Sequence, residues 1–410
     1  MHVMRPQMDK AHSSRCLDST KRKIIYVCFG RLTDKMAQDW YVDCLIENGM
    51  TVEYWDIVAL VRKEHSERGA LYPGYLHVFR SIGEVEKALQ HPENKDAFYV
   101  MLITYVAQFM QIFRLLSKYD CRMLYFAWGA MPQDPAYKWR KIFAWLSSPY
   151  MCAKEIVNRS KALALRRLKL VKPFEITFVA GDALLAANSY SAKVVPINYF
   201  DYDHYVNVRD KGNARLVSGQ YAVFLDINLP YHTDLEFCGY SKIDPVDYYH
   251  SLNRFFGLLE QQYGIRVVIA AHPRADYDST AFEGRQIFRL VTAELVRDAE
   301  FVLSHTSTAI SYAVLNAKPL VFIYTDAMAT AYQQTFIREM QGYADYLDAP
   351  IYNIDAARDA HQVFPKPVNQ ERYERYKYDY LTSRQSEDTP THEIVLREIQ
   401  SYSIVACASH

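Results

Sequence analysis

Three stretches in the second half of the chain each join an apolar run to residues that can do chemistry. "YAVFLD" ends in Asp226, "VVIAAHPR" in His272, Pro273 and Arg274, and "FVLSHTST" in Ser304, Thr306, Ser307 and Thr308. A carboxylate that closes an apolar run is costly unless it is paired or used. Used, it can take a proton from a hydroxyl. The imidazole of His272 is aimed by the fixed backbone of Pro273 and, protonated, can neutralise or protonate a leaving phosphate. The ordinary alternative is a hydrogen-bonded structural histidine. One of the hydroxyls serves as a helix cap. Four hydroxyls among residues 304–308 exceed what one cap needs, and a helix start rich in amides and hydroxyls suits a phosphate. His232 and Asp234, in the loop after Asp226, rival it as base, although Asp234 also reads as a cap. GxxxxGK[ST] and GxGxxG are both absent, so a phosphate is not held as in a P-loop or a dinucleotide fold.

These residues matter only if their strands end on one edge of a sheet. In the first half, "KIIYVCFG" (23–30), "MTVEYWDI" (50–57), "DAFYVMLITY" (96–105), "RMLYFAW" (122–128), "EITFVAG" (175–181) and "AKVVPINY" (192–199) read as strands. Helical periodicity lies between several of them. The polar stretch 203–220 reads as a linker, after which the rhythm restarts with "YAVFLDI", "IRVVIAAHP", "EFVLSHTS" and "PLVFIYT". Alternating strands and helices predict parallel sheets covered on both faces. The expected organisation is a disordered tail over 1–22, an acceptor domain over 23–205, a nucleotide domain over 206–380, and a C-terminal helix and tail over 381–410 that crosses back to the first domain. Both domains are expected to be Rossmann-like and to face across a cleft, where ligands bind beyond the carboxyl ends of the strands.

At 410 residues two domains are the default. Lys+Arg and Asp+Glu both number 47, so no net field points to nucleic acid. The seven cysteines show no paired spacing, which fits a reducing compartment. The polar start lacks a signal-peptide core, and no window approaches the apolar length of a membrane span. The expectation is a cytoplasmic protein. "KEIVNRSKALALRRLKLVK" (154–172) mixes basic residues with aliphatic ones, which fits either a solvated helix face or contact with anionic lipid headgroups or a lipid-linked diphosphate acceptor. "YFDYDHY" contains Asp201 and Asp203 in a DxD arrangement. A metal pair is one reading, but their place near the linker suits a hinge or cleft wall. No histidine or cysteine cluster has zinc spacing, and no required metal or cofactor is expected.

"AAHPR" followed by "SHTST" resembles the His-Pro and Ser/Thr-Ser motifs of bacterial sialyltransferases and related capsule polysaccharide and lipopolysaccharide transferases. The resemblance covers roughly residues 220–330. It implies a GT-B fold and transfer of a nonulosonic acid from its CMP donor to a saccharide acceptor. His272 would then bind the CMP phosphate and act as general acid, with Pro273 and Arg274 beside it. Ser304, Thr306, Ser307 and Thr308 would serve the same phosphate, and Asp226 would be the acceptor base. The acidic-Gly motif that often carries the base in that family is absent here. An inverting single displacement needs only such a base and a stabilised leaving group. Two alternatives remain: a CDP-polyol phosphotransferase like the wall teichoic acid enzymes, and a nucleotide-sugar-binding component without turnover.

Overall fold

The computed structural model describes residues 22–30, 32–61, 74–129, 131–132, 149–187, 190–212, 214–232, 241–273, 275–277, 280–332, 336–357 and 365–408. The expected tail, Asp234 and Arg274 lie outside these residues, apart from residue 22.

The first sheet contains β1 (Lys23–Cys28), β2 (Thr51–Asp56), β3 (Leu76–Val78), β4 (Phe98–Met101), β5 (Arg122–Ala127), β6 (Phe174–Ala180) and β7 (Ser191–Ile197). The second contains β8 (Tyr221–Leu225), β9 (Arg266–Ala270), β10 (Ile287–Phe288), β11 (Phe301–Ser304), β12 (Leu320–Tyr324) and β13 (Ile351–Asn353). Their orders are β3-β2-β1-β4-β5-β6-β7 and β10-β9-β8-β11-β12-β13. Every pairing is parallel. Both sheets are therefore doubly wound, with the order reversing between β1 and β4 and again between β8 and β11.

Alternate residues of β1 show why the strands read as continuous apolar runs. Ile24, Tyr26 and Cys28 face one buried cluster, while Ile25 and Val27 face another. The first cluster continues through Tyr221, Val223 and Leu225 of the second sheet, so one apolar core joins the two domains. Burial on both faces is what helices covering a parallel sheet produce.

The linker expected at 203–220 is helical through Lys211. A helix spans Phe200–Lys211 and ends at Gly212, whose φ of 58° fits the left-handed position that terminates helices. The expected boundary after residue 205 falls inside this helix. The C-terminal return is present: the helix Thr391–Ala408 packs on the first domain. Arg22 donates to the Ile399 carbonyl at 3.1 Å, and the Tyr402 ring meets Phe98 edge-on. Gly181 admits the returning chain. Its φ is +77°, and a Cβ there would lie 2.3 Å from the Asp379 carbonyl oxygen. No described helix is long and apolar enough to cross a membrane.

Candidate functional site

Between the domains lies a cavity of about 990 Å³. Strands β9, β8 and β11 are neighbours in the second sheet, so the three chemically equipped strand ends come together at its switch point, where doubly wound sheets bind ligands. Asp226, His272, Pro273, Ser307 and Thr308 line the cavity. The first domain faces them with Lys35, Asp39 and Tyr41, and the returning chain adds Glu387 through Pro390 and His392.

Asp226 follows β8 and is 4% exposed. Its Oδ2 accepts from the Tyr277 hydroxyl at 2.5 Å and from the Asn228 amide at 2.9 Å. Oδ1 is buried with no hydrogen-bond partner among the described residues. Burial pushes the carboxyl up to about 6, against the lowering effect of the hydrogen bonds from Tyr277 and the Asn228 amide. A carboxylate with one committed oxygen, one uncommitted oxygen and raised basicity is equipped to accept a proton.

His272 is half-buried after β9. Its amide donates to the Tyr277 hydroxyl at 3.3 Å, and its carbonyl accepts from Ala275 at 3.0 Å. The Tyr277 hydroxyl thus ties the His272 backbone to the Asp226 carboxylate. The His232 ring lies 6.3 Å from the His272 ring, centroid to centroid, and its buried Nδ1 lacks a partner among the described residues. His232 therefore stays beside the site, outside the cavity lining.

The hydroxyl-rich stretch divides in two. Ser307 and Thr308 reach the cavity, whereas Ser304 and Thr306 are not in its lining. Ser304 is fully buried, with its Oγ unpartnered among the described residues. Ser307 Oγ also accepts from the Ala309 amide at 3.2 Å, a capping contact. The helix that follows, Ile310–Leu315, has only six residues. Hydroxyls and turn amides would therefore carry phosphate binding here, with little help from a helix dipole. His305 is structural. Its Nδ1 faces the Ile323 carbonyl at 2.6 Å and must donate to it, leaving Nε2 to accept from Tyr248 at 2.9 Å. Burial lowers its pKa to about 4, so the ring stays neutral.

Asp201 and Asp203 act as brackets. Two residues apart on a helix, they point roughly 200° from one another. Asp201 accepts from Ser311 and from the Tyr312 hydroxyl, both in the second domain, the latter at 3.0 Å. Burial raises Asp201 to about 6. Asp203 accepts from the Tyr41 hydroxyl at 2.8 Å, Asn198 Nδ2 at 2.8 Å and the Thr391 amide at 3.0 Å. Both line the cavity as part of its wall, and their geometry does not present both carboxylates to one ion. Among the described residues no group of three His, Cys, Asp or Glu side chains is placed to hold a metal.

Lys35 and Asp39 escaped the sequence reading. Lys35 Nζ lies 2.7 Å from Asp39 and 4.6 Å from the centroid of the Phe200 ring. Burial raises the Asp39 carboxyl, and the Lys35 charge opposes that rise. The available signal was topological, because the turn after the first strand of a doubly wound sheet opens on the cleft. Tyr277 carried no signal beyond its closeness to His272 in the chain.

A scan of the chain against protein-family models found no match, and a search of curated proteins found none either. Solved structures do resemble it. The calicheamicin glycosyltransferase CalG4 is similar at 13% identity and a TM-score of 0.52, over 94% of this chain and 98% of that one. The wall teichoic acid polymerase TagF is similar at 10% identity and a TM-score of 0.48, over 95% and 90%. The glycosyltransferase SnogD from Streptomyces nogalater is similar at 12% identity and a TM-score of 0.47, over 93% and 99%. At such identities the likeness speaks for the fold. Two doubly wound parallel sheets facing across a cleft, superposable on CalG4 over most of both chains, make this a GT-B fold.

Proposed function

We propose that the protein is a metal-independent glycosyltransferase that moves a nonulosonic acid from its CMP donor to a saccharide acceptor in surface polysaccharide synthesis. The carrying observation is that Asp226, His272, Ser307 and Thr308 line one interdomain cavity from the ends of neighbouring strands. The donor binds the second domain, with its phosphate against Ser307, Thr308 and His272. The acceptor enters from the first domain, past Lys35 and Asp39. Its hydroxyl oxygen attacks the anomeric carbon as Asp226 takes the hydroxyl proton. The bond from that carbon to the phosphate oxygen breaks, its electron pair stays on CMP, and His272 hydrogen-bonds or protonates the leaving phosphate. Single displacement inverts the anomeric centre. The chemistry needs no cofactor beyond the activated sugar.

The choice of CMP rests on the motif resemblance, so it is the part to test first. Binding raises stability by mass action. CMP should raise the melting temperature in the absence of divalent metal, with UDP and GDP giving smaller shifts. Transfer from a CMP-nonulosonic acid and not from CDP-glycerol is the expected activity. A UDP preference would move the donor class, turnover of CDP-glycerol would make the protein a polyol phosphotransferase, and nucleotide binding without turnover would leave a binding component.

A further inference from the structure

The helix Pro149–Arg167 has two unlike faces. Its inner face is pinned to the first domain. The Ala162 carbonyl accepts from the Tyr105 hydroxyl at 3.2 Å, and Leu165 packs on the apolar cluster behind the sheet. The Arg166 guanidinium sits 4.1 Å from the Tyr105 ring and 4.2 Å from the Tyr190 ring. The rotation of the helix is therefore fixed, and so is what it turns outward.

Outward it turns aliphatic side chains interleaved with polar ones, Ser160 and Arg167 lying on the same side of the helix. Ile156 is 52% exposed, Val157 48% and Leu163 50%, and just past the helix Leu168 and Leu170 are 68% and 46% exposed. Ile156 and Leu163 lie two turns apart on one line, and the exposed Ala153 and Ala164 lie beside them. Lys161, Arg167 and Lys169 are also exposed, and none of them forms an ion pair among the described residues. Residues 153–172 contain seven Lys or Arg and one acidic residue, Glu155, in a chain whose Lys+Arg and Asp+Glu counts are equal overall, so the rest of the chain is net acidic. Long cationic side chains set among and beside aliphatic ones can reach phosphates while the aliphatic groups enter acyl chains. Nucleic acid would satisfy the cations and leave the aliphatic groups without use.

We propose that this face seats the protein on an anionic lipid surface, with the helix lying in the interface and Ile156, Val157 and Leu163 inserted. The inference stands apart from the donor reading, because the face belongs to the first domain and none of these residues lines the cleft.

The test is flotation of the full chain with vesicles of phosphatidylcholine alone or mixed with phosphatidylglycerol. The chain should float only with the anionic vesicles. Each cation contributes about a fivefold factor in partitioning, so replacing Lys161, Arg167 and Lys169 together by Gln should weaken binding about a hundredfold. Ile156→Glu with Leu163→Glu should abolish binding, while circular dichroism and the melting temperature stay unchanged. Failure of the parent chain to float with anionic vesicles overturns the proposal, as does undiminished flotation of either variant. Dimerisation of the parent that the Ile156→Glu, Leu163→Glu variant loses would assign the face to a second copy and overturn it too.

Discussion

Replacing Asp226 by Asn should make the protein more stable and less active, and the size of the gain follows from the site. The carboxyl is 4% exposed and is raised from an ordinary 3.8 to about 6. The protonated form is thus favoured in the fold by about 2 pH units, or about 3 kcal/mol at 1.36 kcal/mol per unit. The sign follows from linkage. Below the unfolded value both states are protonated, and nothing is lost. Between 3.8 and about 6 the unfolded chain ionises first, so stability falls as pH rises, and above about 6 the loss is complete. An Asn side chain can place its oxygen where Oδ2 accepts from Tyr277 and Asn228 and never ionises. The variant should match the parent at about pH 4 and exceed it by about 3 kcal/mol at about pH 8, measured by urea titration. Its turnover should fall by about 10²–10⁴-fold with CMP affinity nearly unchanged. In the parent, the acid limb of kcat/KM should rise through pH about 6, as Asp226 loses its proton. Equal stability at both pH values would refute the buried, ionised carboxylate. Full activity would refute the base and move attention to Asp39, His232 or Asp234.

His272→Ala should lower turnover strongly and weaken CMP binding, and a donor with a better leaving group should recover part of the rate; single-turnover kinetics with two donors checks both. Ser307→Ala and Thr308→Ala should each weaken CMP binding by about 1.5–3 kcal/mol by calorimetry. A collapse of melting temperature with unchanged affinity would instead make these hydroxyls caps alone. EDTA should leave transfer intact, whereas strict Mg²⁺ or Mn²⁺ dependence would return Asp201 and Asp203 to metal binding. Asp203→Ala removes the acceptor of two buried donors and of the half-buried Tyr41 hydroxyl and should lower unfolding stability by about 3 kcal/mol, measured by denaturant titration.

The long strands were legible because their residues are apolar on both faces. "YAVFL" predicts β8 at its observed start, and "RMLYFA" predicts β5. The short edge strands β3, β10 and β13 were not, since two or three residues carry no periodicity. Asp226 and His272 lie just past the ends of β8 and β9, as read from the sequence, because residues that follow an apolar run sit at the sheet edge whatever the strand order. It served less well for Ser304, which the chain buries as the last residue of β11. What joins the site comes from afar in sequence: Lys35 and Asp39 from the other domain, and Glu387 through Pro390 and His392 from the returning chain. The helical character of 200–211 was hidden because its buried and exposed sides both carry charge. Asp201 and Asp203 are buried, while Arg209 and Asp210 face solvent.

The chain passes between the domains twice, after the helix Phe200–Lys211 and again ahead of Thr391, and Asp203 ties the two passages together through the Thr391 amide. In mechanical terms this is a pivot with two adjacent pins. Tying the two crossings at one point restricts how far one domain can slide or twist over the other, and the apolar core they share restrains it further. Asp201 spans that gap to Ser311 and Tyr312 close to the pivot, where the lever arm is short. The strand ends that carry Asp226 and His272 face the first domain across the same gap, so a small angular change at the pins alters the separation between Lys35 and Asp39 on one side and those residues on the other.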